Sequence, residues 1–293
     1  MADLNTEAVR SLKAINAWVD VIESNIGGTQ RVAFKGKKVS MLGSNKYLTG
    51  SVATPARAKN DIRDIMLPTA ALEVSQVTSD WKQGEIISST EETHLAILGT
   101  GFFVVTDRND FAGETKTYYT RDGQFTWDSQ GYLRTMNGLY VMNASYPPFD
   151  PERDAIRTKI AANTDSAVNY FVNKNRVASA GPPPTTAPEL DYNGLVDTDK
   201  IGLSRFSNND GLYYTVYGTS YLEESASSGR PIYYNAGQPD VEADVKRYSL
   251  ESSNGSMVEY IPTLATAQKM FSAVSKIIAV YNSTTDDMNN LVR

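Results

Sequence analysis

The residues with catalytic potential are few and badly spaced for catalysis. His94 is the sole histidine of 293 residues, and the chain has no cysteine. A serine–histidine–acid triad would therefore have to use His94, which lies in the apolar-leaning run THLAIL and fits a strand or turn better than a general base. The absence of cysteine removes disulfides, thiolate metal sites and cysteine nucleophiles together. Glu91-Glu92 and Asp286-Asp287 are adjacent pairs, whose side chains point apart on a strand or helix. Asp122 and Asp128 could oppose each other across a hairpin, and with Glu223 and Glu224 they are the acids a cell-wall hydrolase would need. Their setting beside glycine and serine favours a turn role for the first two. Gly99-Thr100-Gly101 lacks the third glycine of a dinucleotide loop, and Phe102-Phe103 follows where a helix should begin. No His, Cys or acid spacing suits a metal, so catalytic, cofactor-binding and metal residues are all expected to be none. Asn143-Ala-Ser and Asn282-Ser-Thr match the glycosylation sequon, a short and unspecific pattern.

The elements around these residues point to a scaffold. Ala8, Leu12, Ile15, Val19, Ile22 and Ile26 step by 4 and 3, an apolar seam on an N-terminal helix that Gly27 and Gly28 stop. Met257, Tyr260, Leu264, Ala267, Phe271, Val274, Ile278, Tyr281, Thr285, Met288 and Val292 repeat that stepping. A helix over this seam would run roughly 54 Å, longer than one domain needs for docking. Pro262 fits its first turn or a kink near its start. Two such helices can pair with each other and with copies from neighbouring subunits.

Residues 31–64 hold eight basic side chains (Arg31, Lys35, Lys37, Lys38, Lys46, Arg57, Lys59, Arg63) against Asp61 and Asp64, in an extended or loop setting. Residues 183–246, with ten acids and four bases, are a candidate counter-face. The net charge of −6 weighs against nucleic acid. No stretch reaches the about 20 apolar residues of a membrane span. MADLNTEAVRSLKAINAWVDV has no basic region followed by an apolar one, so Sec-type export is not expected. Between about 65 and 250 short β-prone runs alternate with turn signals. Asp122-Gly123 and Asn137-Gly138 are hairpin-turn signals, and Gly123, Gly131 and Gly138 are spaced for a meander of short strands. Pro182-Pro183-Pro184-Thr185-Thr186-Ala187-Pro188 is a stiff extended loop.

LAILGTGFFVVTD (Leu95–Asp107) and YTRDGQFTWDSQGYL (Tyr119–Leu133) resemble the signature of the bacterial flagellar rod and hook proteins, similar to the distal rod and hook members. Its motif positions are Gly99, Gly101, Phe102, Phe103, Tyr119, Thr120, Arg121, Gly123, Phe125 and Gly131. Gln83-Gly84 and Thr90 match its lead-in, Asn25, Ile26 and Phe34-Lys35 the segment after its first helix, and Phe206–Pro231 a later segment. LESSN (Leu250–Asn254), with Asn254, resembles the opening of its C-terminal helix. Residues 144–200 match poorly.

The resemblance implies an α+β fold, with long N- and C-terminal helices forming a coiled-coil inner layer and a central mainly-β domain outside it. The expected boundaries are an N-terminal axial helix over 1–30, an extended basic linker over 31–70, a β-rich domain over 71–250 with an insertion around 144–200, and a C-terminal axial helix over 251–293. The implied protein is a structural subunit of a helical tube in the flagellar basal body or hook, periplasmic to extracellular. Its partners would be copies of itself, other axial or junction proteins and the type III export apparatus, with no nucleic acid and no membrane insertion. The N-helix seam and, on the C-helix, Met257, Leu264, Phe271, Val274, Ile278, Tyr281 and Met288 would be the assembly surfaces. Alternatives are a non-flagellar tube-forming homologue and a monomeric module binding glycan or peptidoglycan, with Tyr213-Tyr214 and Tyr233-Tyr234 as contact residues.

Overall fold

The computed structural model describes residues 2–48, 65–108, 116–143, 172, 196, 198, 201–235 and 243–291. In chain order they form α1 (Ala2–Gly28), β1 (Lys37–Leu48), β2 (Ile65–Ser79), β3 (Ile86–Ser88), β4 (Leu95–Gly99), β5 (Phe102–Thr106), β6 (Thr117–Thr120), β7 (Phe125–Trp127), β8 (Leu133–Thr135) and β9 (Tyr140–Val141). There follow β10 (Gly202–Arg205), β11 (Tyr213–Thr215), β12 (Gly218–Glu223), β13 (Ile232–Asn235), β14 (Ala243–Arg247), β15 (Ser249–Glu251) and α2 (Met257–Leu291). The result is a mainly-β centre with a long helix at each end. The proline-rich loop, the expected insertion apart from residues 172, 196 and 198, Arg57, Lys59, Arg63 and Val292 lie outside the described residues.

The chain divides into two compact units. The first comprises residues 1–27, 37–80 and 256–293. Here the described part of the expected basic linker is largely a ribbon: β1 pairs antiparallel with β2 from Lys37↔Ser79 to Leu48↔Ile65, with two register shifts. Helix α1 is fastened to it by side chains that compete poorly inside helices but bond well to extended backbone. Asn25 donates to the Lys37 carbonyl (2.7 Å) and accepts from the Lys37 amide (2.8 Å), while Ser11 Oγ accepts from the Leu72 amide (3.0 Å). Helix α2 begins at Met257, not at 251, because Ser249–Glu251 is held as a strand against β3. Pro262 lies in its second turn.

The second unit, residues 28–36 and 81–255, carries a nine-stranded sheet among the described residues, in the order β11-β12-β6-β5-β9-β8-β7, with β10 joining β5 and β13 joining β10. Strand β5 shows why FFVV is apolar throughout. Phe103 and Val105 enter one buried cluster with Leu95, Phe125 and Leu203, whereas Phe102 and Val104 enter another with Tyr119, Phe206 and Leu222. A strand alternates its side chains, so one buried on both faces must be apolar at every position. Edge-to-face rings close both clusters, Phe103 on Phe125 at 5.1 Å and Tyr119 on Phe206 at 4.7 Å between centroids.

The glycine punctuation divides by cause. Strands β7, β8 and β9 form the expected meander. Gly131 closes a turn in which Asp128 Oδ1 accepts from the Gln130 and Tyr132 amides, and Asn137-Gly138 closes the next. Asp122-Gly123 is not a hairpin turn, because β6 pairs with β5 and β12 and β7 pairs with β8. Gly123 is instead a close-approach residue: a Cβ there would stand 1.6 Å from the Leu95 carbonyl oxygen.

Candidate functional site

In the second unit, the motif residues converge on one buried carboxylate. Glu251, at the end of β15, is fully buried. Its Oε1 accepts from Lys35 Nζ at 2.6 Å and from the Gly84 amide at 2.8 Å, and its Oε2 accepts from Arg121 Nε at 2.7 Å. The Glu251 carbonyl accepts from the Ala33 amide at 2.8 Å. Arg121 spends its remaining donors on the break between β4 and β5, bonding the Gly101 carbonyl (2.9 Å) and the Gly99 carbonyl (3.0 Å). Lys35 also reaches the Lys82 carbonyl at 2.7 Å. Asn254 completes the knot, accepting from the Gly36 amide (2.8 Å) and donating to the Lys82 carbonyl (3.1 Å).

Each partner has a local reason for its place. Gly101 has φ +138°, and a Cβ on it would run into the Tyr234 hydroxyl and the Ser204 carbonyl. The chain thus leaves β4 in a conformation open to glycine, which exposes the Gly99 and Gly101 carbonyls to the planar Arg121 guanidinium. Tyr234 donates to the Thr100 carbonyl at 2.7 Å, and burial pushes its hydroxyl up to about 12. Gln83 pins the same segment, accepting from the Gly99 amide (2.9 Å) and donating to the Ile97 carbonyl (3.0 Å). Thr120 Oγ donates to the Ser220 carbonyl at 2.8 Å and carries Arg121 inward from β6.

Two cations share one carboxylate, and backbone carbonyls absorb the surplus positive charge. Such a cluster has little net stabilising value over an apolar core, but removing one member strands a buried charge. Chemically it can hold segments together. It offers neither a nucleophile nor an unpaired base, and its donors are directed at fixed oxygens.

The structure brings together Gly99, Gly101, Arg121 and Asn254 among the expected motif residues. Phe102, Phe103, Tyr119 and Phe125 are core, Gly123 packs on Leu95, and Gly131 is in a turn remote from the clamp. By type Lys35 is only one of eight basic side chains in residues 31–64, and Glu251 carries no signal of its own, although both lie inside quoted motifs, as Phe34-Lys35 and LESSN. His94 Nδ1 bonds Ser89 Oγ at 2.7 Å in the turn before β4. Asp122 and Asp128 each cap their own turn. No group of three or more His, Cys, Asp or Glu able to hold a metal occurs among the described residues. No described helix is long and apolar enough to cross a membrane.

The expected seams have mixed surroundings. On α1, Ile15 and Ile22 are buried, whereas Ala8, Leu12, Val19 and Ile26 are half-buried; the inward stripe also takes Ser11, Ala14 and Asn25. On α2 only Ala267 is buried. Leu264, Val274, Ile278 and Tyr281 are half-buried, and Met257, Phe271 and Met288 are exposed. Beside that seam runs apolar surface that the seam count missed: Ile261, Ile277, Val280 and Leu291 are 56%, 54%, 66% and 85% exposed.

The family model of the flagellar hook protein FlgE/F/G D1 domain matches residues 96–174, which contain the Arg121 arm of the clamp. The chain is 25% identical over 291 residues to the flagellar basal-body rod protein FlgG of Bacillus subtilis, covering 97% of each chain. It is 26% identical to the FlgG of Borreliella burgdorferi, over 94% of this chain and 93% of that one. These matches make the chain similar to the flagellar rod and hook proteins over most of its length. A hook member, the FlgE of Helicobacter pylori, is 33% identical over 138 residues, which is 45% of this chain and 18% of the hook protein. End-to-end similarity thus lies with the rod members, and a shorter, more alike stretch is shared with the hook.

Proposed function

We propose that this chain is a structural subunit of a flagellar axial tube and polymerises through its terminal helices. The observation that carries this is α2, a 35-residue helix that leaves large apolar side chains in water along most of its length. A soluble protein seldom maintains such a stripe unless something covers it. The end-to-end similarity to basal-body rod proteins supplies the kind of assembly.

In this reading the two helices form a coiled-coil inner layer, and Ala8, Leu12, Val19 and Ile26 on α1 and Met257, Leu264, Phe271, Val274, Ile278, Tyr281 and Met288 on α2 meet neighbouring copies. The exposed Ile261, Ile277, Val280 and Leu291 extend that surface. The β-rich unit is the outer layer, with the expected domain boundaries moved to the clamp. The apolar side chains still exposed on the seams are covered only when neighbours arrive, so stability of the ends is tied to concentration. Other axial proteins would cap each end of a stack. Passage through the flagellar export apparatus, rather than Sec, would deliver the chain to a basal body or hook outside the cytoplasm. The role is mechanical and needs no cofactor.

The test compares the full chain with residues 28–255, which keep Lys35, Arg121, Glu251 and Asn254, by negative-stain electron microscopy over a concentration series. Tubes from the full chain and compact monomers from the shortened one are expected. Monomers from both would overturn the proposal.

A further inference from the structure

The second unit also carries a solvent-open polar groove of about 410 Å³. Segments far apart in sequence build it: Arg31 from the stretch after α1, Asp122 and Gln124 from the β6–β7 connection, Asn137 from the β8–β9 turn, and Tyr217 and Tyr221 at and beyond the β11–β12 turn. The walls are held by bonds between these segments. Arg31 donates to Thr219 Oγ at 3.1 Å, and Asn137 donates to the Tyr217 carbonyl at 2.8 Å. The Tyr217 ring is fixed edge-to-face against Tyr118 at 5.2 Å and Tyr221 at 6.5 Å.

Some polar groups are left over. Asp122 Oδ1 accepts from the Gln124 amide at 3.1 Å, but its second oxygen accepts from no described residue. The Gln124 carboxamide likewise has no described partner. Burial raises the Asp122 pKa above its ordinary value, and no cation among the described residues is paired with it to offset that cost. One guanidinium and one carboxyl give the groove no strong charge bias. Donors and acceptors both line it beside a fixed aromatic ring, and the volume lies in the range of small-molecule sites. A molecule that both donates and accepts at adjacent atoms, without net charge, matches this lining: vicinal hydroxyls on a pyranose chain do so.

We propose that this groove binds a neutral oligosaccharide, with Asp122, Gln124 and Arg31 as its hydrogen-bonding contacts and Tyr217 as its packing wall. The site goes beyond the axial role and does not rest on it.

The test is saturation-transfer NMR on the full chain, with triacetylchitotriose and cellotriose as probes up to about 10 mM, the regime of weak single-site binding. Saturable transfer to at least one sugar is expected, weakened fivefold or more by Gln124→Ala and by Asp122→Asn. Tyr213→Ala, on exposed β11 outside the groove, should leave it unchanged. Both groove variants keep the Asp122 turn acceptor, and matching circular dichroism spectra would exclude misfolding. Absence of saturable transfer from both sugars, or binding that survives both groove variants, would overturn the site. Transfer to triglycine and to neither sugar would overturn the saccharide assignment.

Discussion

The two units of this chain solve the problem of burial differently. In the second, β5 is buried on both faces, and even a carboxylate, a lysine and an arginine are sealed and paired. In the first, α2 has a single buried residue and exposes Val258, Ile277, Val280 and Leu291. One unit pairs its buried charges within itself; the other has apolar surface to cover elsewhere. The difference separates what folding of one chain can stabilise from what requires neighbours. It also predicts where substitutions will act on stability and where on assembly.

The largest stability effect should come from the clamp. Glu251→Ala would strand Lys35 and Arg121 in the interior, for a loss of about 3–5 kcal/mol. Urea denaturation followed by near-ultraviolet circular dichroism would measure it. A loss no larger than that of an exposed substitution would mean that the second unit is not self-sufficient. Gly123→Ala should follow, because its Cβ would meet backbone rather than a movable side chain. About 1–3 kcal/mol is expected in the same measurement.

Asp122→Asn should have the smallest effect, and its pH dependence sharpens the comparison. Burial holds the native Asp122 proton above the ordinary value of 3.8, so the native state binds more protons than the unfolded one. The stability of the neutral acid is present below 3.8 and is lost as pH rises through the raised native value. Asparagine keeps the turn acceptor without ionising. Wild type and variant should therefore diverge in favour of the variant as pH rises across that window, seen in thermal melts. Parallel melts at every pH would contradict the assignment.

Much of this contrast is legible in the residues, and the failures have physical causes. The stepping of apolar residues marks both terminal helices, since a helix must place them on one face. It misses the inward role of Ser11 and Asn25, whose partners are backbone groups of the ribbon. The Asp128 and Asn137 turns follow from local chemistry, as does the β7-β8-β9 meander. Asp122-Gly123 carries the same dipeptide signal for another reason, the approach of Leu95, which no local pattern reveals. The clamp is least legible: Lys35 and Glu251 are 216 positions apart, and Arg121 and Glu251 130 apart. A lysine or glutamate gives no sign by type that it will be buried. Resemblance found the segments, and geometry supplied the connection between them.

The central claim is that the exposed face of α2 belongs to an assembly and not to the fold of one chain. Sedimentation velocity of the full chain and of an Ile277→Asp/Val280→Asp variant, over the same concentration series, tests it most directly. Both positions are more than half exposed, so the dilute variant should be as stable as wild type within about 0.5 kcal/mol. The account predicts that wild type forms large species as concentration rises while the variant remains a folded monomer. Assembly of the variant at wild-type concentrations would contradict it.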